Sequence, residues 1–116
     1  NDHDGHGTAI AGIATYFDLV DCLVSDTLVE IGHEIESVKI LPPRNKPTTK
    51  AELFGAVTEQ AVYQAEIERP NAKRIICMAV TADKYNTDNG SPTSWSAALD
   101  NLISGATDHN KRLFFV

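Results

Sequence analysis

Six consecutive apolar residues, Ile75-Ile76-Cys77-Met78-Ala79-Val80, narrow the folds open to this chain more than any other feature. The run does not alternate with polar residues, as the strand of a sheet with one wet face would. A short unbroken run of this kind predicts a strand covered on both faces, which is the situation of a parallel sheet with helical connections. Leu113-Phe114-Phe115-Val116 predicts a second such strand. Between the two, Trp95, Ala98, Leu99, Leu102, Ile103 and Ala106 recur at steps of three and four, which predicts an amphipathic helix with Ser94 as its N-cap.

The same logic extends upstream. Ile10, Ile13, Ala14, Phe17 and Val20 recur at helical spacing from about residue 8, and Ala9, Ala11 and Gly12 suggest close backbone packing on that helix. A strand is expected over 34–41, stopped by Pro42-Pro43, with 42–49 as a loop. Thr49 and Glu52 fit a capping box and predict a helix over 50–68 that ends before Pro70. The order helix, strand, helix, strand, helix, strand calls for an α/β fold, a three-layer sandwich with a mainly parallel sheet. No repeat or linker divides residues 1–116. Because the last strand run reaches Val116 without a turn or polar tail, the chain is expected to be a central segment of one larger domain.

Composition sets limits on partners. Of 116 residues, 42% are hydrophobic and 22% charged, which supplies a core and excludes a disordered segment. A net charge of −6 argues against a broad footprint for nucleic acid or anionic lipid. The first 36 residues hold eight acids and no Lys or Arg, a pattern expected of solvated acidic faces. No apolar run approaches the roughly 20 residues of a membrane span, and the first residues lack a basic region followed by an apolar stretch. No membrane partner is expected, and the cytoplasm is the expected compartment. Cys22 and Cys77 sit in apolar surroundings and are expected to be reduced, buried thiols.

Chemistry concentrates in Asp2-His3-Asp4-Gly5-His6-Gly7-Thr8, just before the first helix. One reading is a metal site, since His3, Asp4 and His6 all carry donors suited to zinc or iron. It needs a further ligand, and His33 and His109 lie in no comparable cluster.

The other reading starts from His6-Gly7-Thr8-Ala9-Ile10-Ala11-Gly12-Ile13-Ala14, which resembles the histidine motif of the subtilisin-like serine peptidases. Ser37-Val38-Lys39-Ile40-Leu41 resembles that family's Val-Lys-Val-Leu strand. Ile76 to Thr81 falls where the family has Asn-Met-Ser-Leu-Gly, and Leu113 to Val116 resembles the strand before its Ala-Gly-Asn segment. The resemblance spans essentially the whole chain. It implies a Ser-His-Asp endopeptidase acting on polypeptides without metal or cofactor, with His6 as general base and then general acid. The aspartate of that triad belongs to an earlier strand, and the serine to a Gly-Thr-Ser segment that this sequence does not contain. The segment alone is therefore expected to be inactive.

Proton chemistry supports the role given to His6. A serine hydroxyl is inert at neutral pH until a positioned base takes its proton, and imidazole has the unperturbed pKa nearest that task. At a helix start the backbone dipole disfavours imidazolium, and Gly7 and Gly12 are expected to permit a tight turn and close packing. The resemblance also makes Ala79, Val80 and Thr81 one wall of the substrate cleft, pairing with an extended peptide. Thr81 and Ala82 stand where the family has glycines, so their β-carbons should narrow the pocket floor or move its backbone. Tyr85 and Trp95 flank the loop beyond this strand, and Trp95 also completes a helix stripe. Cys77 paired with His6 would make a thiol peptidase, but burial raises a thiol's pKa and disfavours it. A non-catalytic α/β peptide-binding module is the alternative that the Ala79-Val80-Thr81-Ala82 departure keeps open.

Overall fold

A computed structural model describes residues 2, 4–42, 50–80 and 90–116. The chain divides into two compact units, Asn1–Ser37 and Val38–Val116. Among the described residues no helix is long and apolar enough to cross a membrane.

The first unit holds helices α1 (His6–Tyr16) and α2 (Leu19–Val24). The single apolar stripe read from Ile10 to Val20 is broken at Phe17, whose backbone takes φ 56°, a conformation that a bulky residue rarely adopts. Its N–H still donates to Ile13 C=O at 3.0 Å, ending α1, and the Asp18 side chain accepts from Val20 N–H at 2.9 Å to start α2. The capping carboxylate at Asp18 thus replaces continuation of one helix by a new start. Neither helix has a buried residue. Within this unit a Cβ at Gly12 would meet no described residue within 4 Å. His33 donates from Nε2 to Ala14 C=O (3.0 Å) and sets its ring edge-on to Phe17, occupying one of the carbonyls left unpaired at the end of α1.

In the second unit a 3₁₀ turn, Ala51–Leu53, leads into α3 (Phe54–Glu68), as the 50–68 reading expects. Thr49 of the capping box and the expected loop from residue 43 to 49 lie outside the described residues. Arg74 closes the other end of α3, donating from Nη2 to Ala65 C=O (2.8 Å) and from Nη1 to Arg69 C=O (2.9 Å). Strands β1 (Ile75–Cys77) and β2 (Leu113–Phe115) pair in parallel, Ile76 opposite Phe114, with α4 (Ser94–Ser104) between them in sequence. The α/β class and the parallel pairing therefore stand. The cap of α4 is Thr93 rather than Ser94, since its hydroxyl accepts from Ser96 N–H at 3.0 Å. The helix also stops at Ser104, short of Ala106, because Gly105 turns into the left-handed region at φ 69°.

Two strand readings need correction. Residues 34–41 form no strand, although the apolar residues there and Pro42-Pro43 after them predict one. The cover of β1 is one-sided: Ile76 is half-buried, whereas Ile75 and Cys77 are exposed, and β2 repeats the pattern. Cys77 is accordingly not the buried thiol expected, and Cys22 is half-buried with Sγ 3.5 Å from Tyr16 C=O. The core lies where α3 and α4 cross, with Leu102, Val62 and Thr58 buried, and Met78 buried just beyond β1. A Cβ on Gly55 would come within 2.8 Å of Ala98 Cβ, so the crossing is close enough to require glycine there.

Candidate functional site

His6 is the first residue of α1, and its place depends on the two residues that shape the turn before it. Gly5 takes φ 72°, ψ −5°, a left-handed conformation that costs glycine nothing. Its carbonyl accepts from Ala9 N–H at 2.9 Å. Asp2 then reaches over the open end of the helix, where Oδ2 accepts the Thr8 N–H at 2.7 Å. That hydrogen bond, aided by the Thr8 hydroxyl and the Asp4 and Gly5 amides, holds the Asp2 carboxyl below its usual range. The glycine freedom expected of Gly7 and Gly12 is exercised by Gly5 instead. A Cβ on Gly7 would only come into ordinary contact with Asp2 Oδ2, at 3.6 Å.

The His6 side chain is exposed on this first turn. The Asp2 carboxylate sits at the amide end of this helix, where negative charge is favoured. Asp2 earns its position as a cap, a role its distance from Thr8 hides from the usual spacing rules. The metal reading finds no support among the described residues, where no three His, Cys, Asp or Glu side chains are grouped to hold an ion. His3 lies outside those residues. His33 is engaged on Ala14, and His109 sits at φ 63° in the turn after α4, its N–H donating to Gly105 C=O at 2.8 Å.

Ala79 and Val80 follow β1 in the second unit, whereas His6 belongs to the first. Met78 N–H donates to Phe115 C=O at 2.8 Å, continuing the strand pairing one residue past Cys77. Ala79 is exposed and Val80 half-buried; Thr81, Ala82 and Tyr85 lie outside the described residues. A cleft of about 200 Å³ opens at the C-terminal ends of the strands, lined by Met78, Val80, Thr93, Trp95, Leu99 and Val116 among others. That is the end at which open α/β sheets bind ligands. Trp95 is fixed there from behind: its Nε1–H donates to Thr58 Oγ1 (3.0 Å), and the Thr58 hydroxyl donates onward to Phe54 C=O (2.8 Å). The Phe54 ring lies 5.0 Å from the indole.

Arg112 holds the start of β2 and went unremarked in the sequence. Its guanidinium makes a two-pronged pair with Glu66 of α3 (Nε–Oε1 2.7 Å, Nη2–Oε2 2.9 Å) and also binds Asp108. Nη1 donates to Leu102 C=O (3.1 Å) and Asn110 C=O (2.8 Å), while the Tyr63 ring lies 5.4 Å away. Hydrogen bonds from Arg112 and from the Asn110 amide bring the Asp108 carboxyl down to about 2, and the two carboxylates push the Arg112 pKa up. The clamp ties α3, the end of α4 and the entry of β2 together, and so fixes where the strand ends beside the cleft. The signal for it in the sequence, one Arg with an acid four residues before and another on a preceding helix, is too common to single out.

No curated protein and no solved structure matches the chain significantly. The model of the Subtilase family matches residues 1–116, the full length. A helix opened by His6 at a glycine-shaped turn, and two parallel strands with a cleft at their C-terminal ends, suit that match. The chain belongs to the subtilase family of serine peptidases.

Proposed function

We propose that this chain is the central segment of a subtilisin-like endopeptidase domain in which His6 is the general base and Ala79, Val80 and Thr81 flank the peptide substrate. The observation that carries the reading is His6-Gly7-Thr8 opening α1 within a chain that the family model matches from end to end. In this mechanism His6 takes the proton of a serine hydroxyl as it attacks the scissile carbonyl, then gives it to the leaving amine. A carboxylate on the other ring nitrogen sets the tautomer and stabilises the imidazolium. Serine and carboxylate come from segments outside these residues, so the 116-residue chain alone is inactive. In the complete domain the parallel pair β1–β2 extends into the larger sheet of a three-layer sandwich.

The substrate edge follows from the same reading. An extended peptide adds to the chain beyond β1 through main-chain hydrogen bonds, which accept many sequences, while side-chain clefts supply preference. Thr81 and Ala82, in place of glycines, favour the non-catalytic binding module as a second reading, since they alter the floor of the pocket.

Fluorophosphonate labelling of the full-length protein, followed by intact mass, separates the two. A single adduct is expected on the wild type, and His6→Ala should slow its formation by roughly three orders of magnitude or more. Absence of any adduct on a folded protein whose pro-segment, if it has one, has been removed would favour the binding module. An adduct formed equally fast on the variant would remove His6 from the mechanism.

A further inference from the structure

We propose that Asp2 is a positioning residue for the reaction: its carboxylate fixes the turn that presents the His6 ring, without itself touching substrate. The inference rests on the reading of His6 as general base. It starts from a division of labour at the opening of α1. The cap position is taken by Gly5, whose left-handed backbone suits glycine but which has no side chain to bond the open amides of the first turn. Asp2 supplies the missing acceptor from further upstream. It takes the Thr8 N–H at 2.7 Å, the bond that a cap side chain makes to the third residue of a helix.

The same carboxylate meets the chain on both sides of His6. Before it, the Asp4 and Gly5 amides donate toward the carboxylate. After it, the carboxylate accepts from Thr8 and lies over Gly7, with Oδ2 3.6 Å from where a Cβ would stand. One side chain thereby closes the turn that carries His6. Since α1 contains no buried residue, hydrogen bonding rather than packing sets the shape of this first turn. Helix ends fray when their amides lose their partners, and a general base must keep its ring nitrogen within hydrogen-bond reach of the proton it takes. An error of about 1 Å in that placement can cost on the order of 100-fold in rate. Loss of the Asp2 acceptor therefore reaches the reaction through His6.

Peptide hydrolysis by the full-length protein tests this, with fluorophosphonate labelling to count competent sites. Asp2→Ala is expected to lower kcat about 10- to 100-fold while KM stays within about twofold. It should label to the same final stoichiometry as wild type, but more slowly. Asp2→Asn retains an oxygen acceptor, and Asn caps helices about as well as Asp, so it should recover most of the lost kcat. Wild-type kcat in Asp2→Ala would overturn the proposal. So would a lower labelling endpoint with a wild-type rate per labelled site, because Asp2 would then only keep the protein folded. An Asp2→Asn protein as slow as Asp2→Ala would overturn it too, since the effect would come from the charge and not from the acceptor that shapes the turn. His6→Ala, run alongside, separates these failures from that of the reading beneath them: if it hydrolyses peptide as fast as wild type, the base lies elsewhere and Asp2 has nothing to position.

Discussion

At the scale of single residues, the structure gives weight to side chains whose importance depends on who their neighbours are. Asp108 is one. The Arg112 guanidinium and the Asn110 amide bring its carboxyl from 3.8 to about 2. A depressed carboxyl pKa contributes stability that is present above the unfolded value and is lost as pH falls through the folded one. Urea midpoints of wild type and Asp108→Asn should therefore differ by a constant amount at neutral pH, converge between pH 3.8 and about 2, and coincide below that. A gap that persists at the acid end would mean that the Asp108 charge is not what stabilises the turn. His6 and the apolar β1 residues were legible in the sequence because each belongs to a local pattern. Asp2, Thr58 and Arg112 were not, since a cap from six residues upstream, a buried hydroxyl under an indole and a clamp across 46 residues leave no local trace.

At the scale of elements, helices were easier to read than strands. The amphipathic spacing of α4 and the Pro70 stop of α3 survive in the structure, with shifts at the ends where Thr93 outcompetes Ser94 as cap and Gly105 ends the helix early. The 34–41 strand does not, because a strand is defined by ladder pairing with a second segment, which a local sequence pattern does not specify. Helix packing supplies a direct test. Gly55→Ala would set a methyl 2.8 Å from Ala98 Cβ, and the overpacking cost of about 1–3 kcal/mol exceeds the ~1 kcal/mol gained in helix propensity. Chemical denaturation should show the loss, and adding Ala98→Gly should recover part of it. Equal destabilisation in single and double variants would mean that the contact is not the cause.

At the scale of the molecule, burial is uneven. The second unit has Val62, Leu102, Thr58 and Met78 buried, whereas α1 and α2 of the first unit contain no buried residue, and Phe17 and Leu23 are over 80% exposed (81% and 83%). Hydrogen exchange of the 116-residue chain should follow this difference, because local opening is easiest where few apolar contacts must be broken. Amides in the middle of α3 and α4 are expected to exchange at least about tenfold more slowly than those of α1. Equal protection across both units would show that α1 is held by interactions beyond those described.

The sequence by itself determined what depends on near neighbours: the helical periodicities, the apolar strand runs, the α/β class with a parallel pair, and the His6-Gly7-Thr8 motif that marks a serine peptidase family. It also placed His6 at a helix start. Tertiary structure decided the rest: that Gly5 and Asp2 make that start, that Phe17 divides one expected helix into two, that β1 is covered on one face, and that Trp95 and Val80 line one cleft. The strand cover and the Trp95 cleft turn on contacts between residues far apart in the chain, and the breaks at Gly5 and Phe17 on backbone angles that the helical spacing around them does not encode.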